Sequence, residues 1–360
     1  MNSLGDNLRE LITLEGPITV ERYMDVCLKH YYATRDPLGT AGDFTTSPEI
    51  SQIFGELLGL WMLEIWQAIG RPASVNLVEL GPGRGTLMAD MLRAAKVLPE
   101  FLTAATVHLV ETSPVLREKQ QAILAASGAA ITWHDSFAAV PDGPLLLVAN
   151  EFFDALPVRQ FVATERGWCE RLVGIEGDAL IFGLNAEPQR GLGHPPQIGA
   201  IREAHVASTA LIRDIAARLA QHRGAALIVD YGYWGPAFGD TLQALRGHAY
   251  VDPLDEPGEA DLTTHVDFAQ LAHTGLAAGA SIHGIETQAN FLHALGIATR
   301  ATRLKQRATP KQAIAIDQAV GRLTATEGRG MGELFKVLAL TDSGLESVPG
   351  LHARLEAPQR

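Results

Sequence analysis

Apolar residues recur at helical spacing near the start of the chain. Between residues 7 and 30 they repeat every three or four positions around Gly16-Pro17, which predicts two short helices separated by a turn. A stronger helical run follows Ser47, which we expect to cap that helix with Pro48 at its first position. Its apolar positions predict a face packed in the core, and they are Ile50, Ile53, Phe54, Leu57, Leu58, Trp61, Ile65 and Ile69.

Short apolar runs then alternate with helical stretches. The runs cover residues 75–80, 106–111, 145–150 and 225–231, and a last one covers 334–340. Strands that alternate with helices indicate right-handed crossovers and a mostly parallel sheet. Functional side chains in such α/β folds lie just beyond the carboxyl ends of the strands, so the chemistry should follow each run.

The pattern changes to short alternating strands between residues 158 and 184, with turn residues at Arg166-Gly167 and Gly177-Asp178. This predicts an antiparallel β insertion, which a Gly/Pro-rich stretch closes near residue 200. A second segment, from 232 to 267, looks irregular. The resulting division is an N-terminal helical segment (1–72), a first core part (73–157), the insertion (158–200), the remaining core with substrate-side loops (201–345) and a polar tail (346–360).

Composition narrows the class of protein. The chain has 360 residues, of which 47% are hydrophobic and 19% charged, too apolar a mixture for intrinsic disorder. Acidic residues outnumber basic ones by 41 to 29, which argues against a nucleic-acid-binding surface. The two cysteines, Cys27 and Cys169, stand far apart, so we expect buried thiols. We find neither a leader nor an 18-residue apolar run, and expect a bacterial-type cytoplasmic protein without stable membrane insertion.

A glycine-rich turn follows the first predicted strand and precedes a helical run. It contains Gly81, Gly83 and Gly85, with Glu79 two residues upstream of the first glycine. Glycines let a backbone approach a ligand closely, although a plain strand-to-helix connection would use similar residues. Dinucleotide binders would need a third glycine where Thr86 stands. The spacing instead resembles the cofactor turn of Rossmann-like methyltransferases, in which the acid, here Glu79, helps hold the ammonium of S-adenosylmethionine.

Two further acids follow the next strands. Glu111 ends the second strand, 26 residues after Gly85, where a carboxylate can accept hydrogen bonds from both ribose hydroxyls of an adenosine ligand. Asp135 resembles the acid with which such methyltransferases often contact adenine, where it could accept the exocyclic amine while a backbone N–H near Ser136 contacts a ring nitrogen. Helix capping by Asp135 or Ser136 is an equally good interpretation.

The apolar run 145–150 leads into an acidic and aromatic segment, from Asn150 to Pro157. Carboxylates can grip a guanidinium by paired hydrogen bonds, and aromatic faces accept a cation. We assign Asn150 to cofactor binding. We expect Glu151, Phe153 and Asp154 to contact the substrate nitrogen that accepts the methyl group. Phe152 should pack in the core. Helix capping by one of the two acids is the alternative.

Several strings resemble the MidA family, the methyltransferase-like complex I assembly factors of mitochondria and many bacteria. The strings, between about residues 7 and 340, are GDFTTSPEISQIFGELLGLW, LVELGPGRGTLMADMLR, VETSPVLR, ANEFFDALPVRQF, LIVDYGYWG, RGHAYVDPLDEPGEADLTTHVDF and LFKVLAL. The resemblance implies a Rossmann-like α/β fold and an S-adenosylmethionine-dependent protein arginine methyltransferase. It also implies a protein partner that bears the target arginine, such as a complex I subunit.

The roles of four other residues in these strings are open. We list Asp43, Ser47, Asp230 and Asp261 as substrate-side candidates, although a cap or a turn explains Ser47 and Asp230 equally well. Histidines and aspartates crowd residues 248–267, but their spacing matches no metal site and methyl transfer needs no Lewis acid, so we expect a substrate-facing loop. The rival functions are a small-molecule methyltransferase, a catalytically silent assembly chaperone and, third, a nicotinamide oxidoreductase.

Overall fold

The computed structural model describes residues 3–34, 46–327, 330–352 and 354–355. The helices in this part are α1 (Leu4–Glu15), α2 (Val20–Thr34), α3 (Ser47–Ile50), α4 (Gln52–Ala68), α5 (Thr86–Ala95), α6 (Pro99–Ala104), α7 (Pro114–Leu124), α8 (Val206–His222), α9 (Phe268–Ala277), α10 (Gln288–Ala294), α11 (Ile297–Lys305), α12 (Pro310–Thr324) and α13 (Met331–Leu334). The strands are β1 (Ile18–Thr19), β2 (Val75–Leu80), β3 (Ala105–Val110), β4 (Ile131–His134), β5 (Leu145–Asn150), β6 (Arg159–Thr164), β7 (Gly167–Glu176), β8 (Ala179–Pro188), β9 (Ile201–Ala204), β10 (Gly224–Tyr233), β11 (Gln243–Arg246), β12 (Ala249–Val251), β13 (Asp261–Thr263), β14 (Val266–Asp267), β15 (Ser281–Thr287), β16 (Phe335–Thr341) and β17 (Arg354–Leu355).

A mixed sheet forms the centre of the molecule. Its order is β17-β15-β16-β10-β5-β2-β3-β4, and β14 pairs with the end of β10. The strands β10, β5, β2, β3 and β4 run parallel, whereas β16 and β15 are antiparallel to their neighbours. The chain therefore starts the sheet in the middle and extends it in both directions, and this change of direction opens a crevice at the carboxyl ends of β2 and β5. The Rossmann-like α/β prediction is confirmed.

Helices cover both faces of this sheet, which explains why the apolar runs were readable as strands. Every residue of β2 and of β5 is buried. On one face, α4 and α5 pack on the sheet through side chains such as Trp61 and Met88, and on the other α8 and α9 pack through Ile212 and Leu271. Strands buried on both faces read as continuous hydrophobic runs. The predicted core position of Trp61 is confirmed, since this residue is 1% exposed.

The start of the strong helix differs from the prediction. Thr46 occupies the N-cap of α3, and Ser51 caps α4 by accepting a 3.2 Å hydrogen bond from the backbone N–H of Ile53. Ser51 has an extended backbone, which divides the run into two helices. The prediction that Ser47 is the cap is therefore wrong, because Ser47 is a fully buried first residue of α3.

Antiparallel strands lie outside the central sheet. In the described chain β1, β6, β7, β8 and β9 form one sheet, in which Ile18 of β1 pairs with Val173 of β7. This sheet continues past residue 200 into β9, and it takes the strand β1 from the N-terminal segment, whose other described elements are helices. The segment 232–267, expected to be irregular, contains β11, β12 and β13 as a small sheet of their own. Within the tail, β17 pairs with β15.

None of the described helices combines the length and the apolar character needed to cross a bilayer. Nor do the described histidines, cysteines and acids gather anywhere in a group of three suited to a metal ion. Cys27 and Cys169 are buried free thiols, as expected.

Candidate active site

A cavity of about 1000 Å³ lies at the carboxyl ends of β2, β3, β5 and β10. Most of the residues expected at the site line it: Glu79, Gly81, Gly83, Glu111, Asp135, Ser136, Asn150, Glu151, Asp154 and Asp261. Its opposite wall comes from α2 and the small sheet of β11 to β13, including Tyr32 and Thr263. A cavity of this size can enclose a nucleoside-sized ligand together with part of a second molecule.

The glycine-rich turn connects β2 to α5 with a left-handed backbone. Gly81, Gly83 and Gly85 have φ of +60°, +53° and +86°, a region that side-chain-bearing residues rarely adopt. A Cβ at Gly81 would lie 2.7 Å from Phe152 Cδ2, so no larger residue fits there without movement. Gly85 occupies the N-cap of α5 and faces Gln120 instead of the cavity. The turn thus brings backbone at Gly81 and Gly83 directly to the cavity wall.

Glu79 is a buried acid with an unsatisfied oxygen beside this turn. Its side chain is on β2, the residue is 3% exposed, and Oε2 has no hydrogen-bond partner. Burial, with a smaller contribution from the charge of Glu111, raises the pKa of Glu79 to about 8. A buried carboxyl oxygen without a hydrogen-bond partner favours a ligand that brings positive charge or hydrogen-bond donors.

Glu111 follows β3 and is held in place from both sides. The backbone N–H of Ser113 donates to Oε1 at 2.7 Å, and Gln120 Nε2 donates to Oε2 at 3.2 Å. The same Gln120 nitrogen donates to the carbonyl of Gly83 at 2.7 Å. Burial raises the pKa of Glu111 despite these bonds. Gln120, which the sequence analysis missed, therefore connects the acid to the glycine turn.

Asp135 and Ser136 lie at the outer part of the cavity. The Asp135 side chain is 86% exposed and pairs with Arg117 at 2.7 Å. Ser136 is at the N-cap of a short 3₁₀ turn (Phe137–Ala139) but makes no side-chain capping bond. The capping interpretation therefore gains no hydrogen bond from either residue, and both side chains remain at the cavity.

Glu151 sits where β5 ends, with φ of +50°. Its Oε1 accepts hydrogen bonds from the backbone N–H of Ser47, at 2.8 Å, and from Asn150 Nδ2, at 3.1 Å. Burial, opposed by the Ser47 bond and reinforced by the charge of Asp154, raises the pKa of Glu151 to about 7. A non-glycine residue in the left-handed region is strained, and such strain persists where surrounding contacts hold it.

Asp230 shapes the segment that carries Asp154. It is fully buried at the end of β10, and its Oδ2 accepts from the backbone N–H groups of Phe152, Phe153 and Asp154 at 2.9–3.3 Å. Asp230 thus stands behind the cavity wall and organises the loop, whereas Asp154 lines the cavity. Burial raises the pKa of Asp154 to about 6, opposed by a hydrogen bond from Tyr231. Asp154 Oδ1 has no partner.

The two phenylalanines of this segment exchange their expected places. Phe153 is 1% exposed and packs in the core beneath the sheet, while Phe152 lines the cavity. The prediction that Phe153 meets the acceptor and Phe152 is core is wrong, because Asp230 gathers three consecutive amides and turns the chain out of its strand alternation. Ser47 is buried behind the wall, and Asp43 falls outside the described residues.

Comparison with known proteins identifies the family. A family model described as "Putative S-adenosyl-L-methionine-dependent methyltransferase" matches residues 57–286. The chain belongs to this methyltransferase family. The mitochondrial protein arginine methyltransferase NDUFAF7 of Danio rerio is 37% identical over 95% of this chain and 87% of its own, and its Mus musculus counterpart is 39% identical over 94% and 85%.

Solved structures agree with this membership. A Burkholderia thailandensis protein of 30% identity, solved with S-adenosylhomocysteine bound, superimposes with a TM-score of 0.84 over 96% of this chain and 93% of its own. A second structure from that organism, without this ligand in its description, gives a TM-score of 0.80 over the same shares. The nicotinamide oxidoreductase alternative is thereby set aside, and the cofactor is S-adenosyl-L-methionine.

The methyltransferase cavity fits this cofactor on its own chemistry. S-adenosylmethionine carries an ammonium, a sulfonium and two ribose hydroxyls, and the cavity offers unpartnered buried oxygens on Glu79 and Asn150. The backbone of Gly81 and Gly83 is bare of side chains at the same wall. Buried acceptors without protein partners match a cationic, donor-rich ligand.

Two tyrosines of the cavity escaped the sequence analysis. Tyr231 follows Asp230, and burial together with the charge of Asp154 raises its pKa, so it stays a neutral donor. Tyr32 belongs to α2, and nothing in its local sequence distinguishes it from Tyr31. The position of Tyr231 at the carboxyl end of the predicted run 225–231 was a usable signal, whereas Tyr32 reaches the cavity only through tertiary folding.

Proposed function

We propose that this protein is an S-adenosylmethionine-dependent protein arginine methyltransferase whose substrate is a protein, with a subunit of respiratory complex I as the specific target. The observation that carries the proposal is the pair of acids at the cavity wall, the partly buried Glu151 and the buried Asp154, which form no ion pair with the described residues. Curated relatives named protein arginine methyltransferase support the reaction. The MidA-like strings support the choice of complex I.

In this proposal the cofactor occupies the half of the cavity formed by β2, β3 and β4. Glu79 and the backbone at Gly81 and Gly83 hold the methionine part, and Glu111 accepts from the ribose hydroxyls. Asp135 and Ser136 border the adenine. Gly85 acts indirectly, because it starts α5 without lining the cavity, whereas Asn150 offers its unpartnered Oδ1 beside the methionine part.

The acceptor arginine occupies the other half. Glu151 and Asp154 orient one guanidinium nitrogen in line with the methyl group that the cofactor supplies when bound. As the nitrogen–carbon bond forms and the carbon–sulfur bond breaks, the nitrogen loses a proton. Asp154, with a pKa of about 6, can receive it. The phenyl ring of Phe152 borders the same space and can pack against the planar cation.

The first experiment is calorimetric titration of the purified protein with S-adenosylhomocysteine and, separately, with NADH. We expect binding of the former alone. A second experiment incubates the protein with methyl-tritiated S-adenosylmethionine and host membrane extract, followed by hydrolysis and amino-acid analysis. Labelled methylarginine in a complex I subunit supports the proposal. Label on a small molecule alone, or cofactor binding without any transfer, overturns it in favour of a small-molecule enzyme or a silent chaperone respectively.

A further inference from the structure

The half of the cavity that holds the acceptor arginine has a wall formed by α2 and the small sheet of β11 to β13, which we call the roof. This roof contains a pair of residues from elements outside the central sheet. Tyr32, near the end of α2, donates its hydroxyl to Asp261 Oδ1 at 3.0 Å. Asp261 begins β13, is 2% exposed and lines the cavity together with Tyr32. A carboxylate this deeply buried is costly unless its partners or a ligand satisfy it. The cavity wall therefore includes an acid that comes from neither β5 nor β10.

Tyr32 also connects to the cofactor half. Its backbone carbonyl accepts a 2.6 Å hydrogen bond from Ser113 Oγ. Ser113 in turn caps α7 and donates its own N–H to Glu111. One residue of α2 thus touches both the loop that carries the ribose-binding candidate and the acid of the small sheet, which fixes the Tyr32 ring between the two halves.

The carboxylates of Asp261 and Asp154 both line the cavity with Tyr32, and the backbone N–H of Thr264, three residues after Asp261, donates to the carbonyl of Asp154 at 2.9 Å. The charges of both Asp261 and Asp154, together with burial, raise the pKa of Tyr32, so both acids lie near its ring. Asp154 is 6% exposed with Oδ1 unpartnered. His265 lines the same region, but burial lowers its pKa and keeps it uncharged at neutral pH. Two acids facing a shared space favour a cation between them.

The geometry of donors selects among cations. An ammonium presents three donors from one point, whereas a guanidinium presents five donors in a plane and can meet two separate carboxylates at once. Tyr231, whose ring packs edge-on against His265 and Phe335, borders the same space with a flat aromatic surface. Planar cations pack well on such surfaces.

We propose that Asp261 is a second substrate-binding carboxylate, which acts with Asp154 to select a guanidinium over an ammonium or a neutral urea, and that Tyr32 is the positioning residue that holds Asp261 toward the acceptor. This inference rests on the proposed function, and it adds the residues that set specificity for arginine. It also gives the N-terminal helix α2 a part in substrate choice.

The test measures binding of a small probe to the protein saturated with S-adenosylhomocysteine. Calorimetry compares N-acetyl-L-arginine methylamide with the matching lysine and citrulline compounds. We expect the wild type to prefer the arginine compound, and Asp261→Asn to weaken its binding by about tenfold or more. Tyr32→Phe keeps the ring and removes the hydroxyl, so we expect a loss of about threefold, with the citrulline compound unaffected.

Tyr23→Phe is the matched control. It removes a buried hydroxyl on the same helix, whose 2.6 Å bond goes to the carbonyl of Pro253, and Tyr23 does not line the cavity. This variant should keep the wild-type affinity for the arginine compound. Affinity for S-adenosylhomocysteine, measured for all variants, verifies that each one is folded.

The outcomes separate this inference from the proposed function. Unchanged preference for arginine in both Asp261→Asn and Tyr32→Phe, or equal wild-type binding of the three probes, overturns the inference while labelled methylarginine still forms. Absence of detectable binding of the arginine probe by the wild type also overturns it. Failure of the proposed function shows separately, as an absence of methylarginine from the transfer assay.

Discussion

The backbone N–H of Ser47 donates a 2.8 Å hydrogen bond to Glu151 Oε1. Ser47 starts α3 in the N-terminal segment, whereas Glu151 follows the central strand β5, so this bond joins the two parts of the molecule at the cavity wall. A residue that appeared to be a helix cap therefore serves through its amide. It orients an acid that also bears a strained backbone.

Replacing Glu151 should separate cofactor binding from transfer. In Glu151→Gln the amide oxygen can still accept from Ser47, but the negative charge that faces a guanidinium is lost. We expect affinity for S-adenosylhomocysteine within about threefold of wild type and methyl transfer to protein arginine reduced by about 100-fold or more. Calorimetry and the tritium assay measure the two quantities. Glu165→Gln, at an exposed turn of the insertion, is the control and should change neither. Transfer at the wild-type rate in Glu151→Gln would exclude the proposed role.

A side chain at Gly83 should obstruct the cofactor. Gly83 has φ of +53° and lines the cavity. Gly83→Val therefore adds a side chain where the protein backbone is expected to contact the cofactor, and it also strains the backbone. We expect S-adenosylhomocysteine binding to fall by about 100-fold. Gly128→Val controls for strain, because Gly128 has φ of +75° in open space away from the cavity. A thermal melt of both variants checks that each is folded. Equal losses of binding in the two variants would mean that backbone strain, and not obstruction of the cofactor, weakens binding.

Loss of the Asp230 carboxylate should weaken the fold. Asp230→Ala leaves three consecutive backbone N–H groups without their shared acceptor in a buried place. We expect the free energy of unfolding to fall by about 3 kcal/mol, since each unsatisfied buried donor is costly. Urea denaturation measures this change. Asp178→Ala, at an exposed turn, should alter stability by less than about 0.5 kcal/mol. A loss for Asp230→Ala no larger than that of the control would contradict the bracing role.

Cofactor binding should release a proton from Glu79. Its pKa of about 8 in the ligand-free protein lies above the ordinary 4.5, so the acid is mostly uncharged at pH 7, and a cationic ligand favours the charged form. Affinity for S-adenosylmethionine should therefore rise with pH between about 6 and 8. Calorimetry in two buffers of different ionisation enthalpy counts the protons. Glu79→Gln should abolish most of this release, and an equal count in the two proteins would refute the assignment.

The same shift has a second consequence for stability. Because the pKa of Glu79 is raised in the folded state, its contribution to stability is fully present below pH 4.5 and is lost as pH rises through about 8. Glu151, with a pKa of about 7, and Asp154, with a pKa of about 6, act in the same direction. The ligand-free protein should thus melt at a lower temperature at pH 8 than at pH 5.5. The cationic cofactor should stabilise it most at the higher pH.

The elements of the core were predictable because each has a recognisable pattern of buried residues, periodic in the helices and continuous in the central strands. Strands β2 and β5 were predicted with their observed ends, and β3, β10 and β16 within one or two residues, since continuous apolar runs mark strands covered on both faces. Polar candidates that follow those runs, such as Glu79 and Glu111, came to one cavity for the same topological reason.

What the sequence missed depends on distant contacts. Phe152 and Phe153 are adjacent and chemically identical, and only the amides gathered by Asp230, 76–78 residues away, decide which one faces the cavity. Tyr32 lies 229 residues from Asp261 and carries no local mark of its role. Likewise Ser47 is recognisable as a helix-start residue, but its bond to Glu151 is not readable from either neighbourhood.

The pairing of Ile18 in β1 with Val173 in β7 has a consequence for the order in which the chain can fold during synthesis. The N-terminal helices leave the ribosome first, yet β1 gains its strand partner only after residue 173, and α2 gains its Asp261 contact only 229 residues after Tyr32. Loop closure over such separations is slow, so the roof of the acceptor half should form last. A nascent chain would hold its cofactor crevice before it could tell arginine from any other side chain.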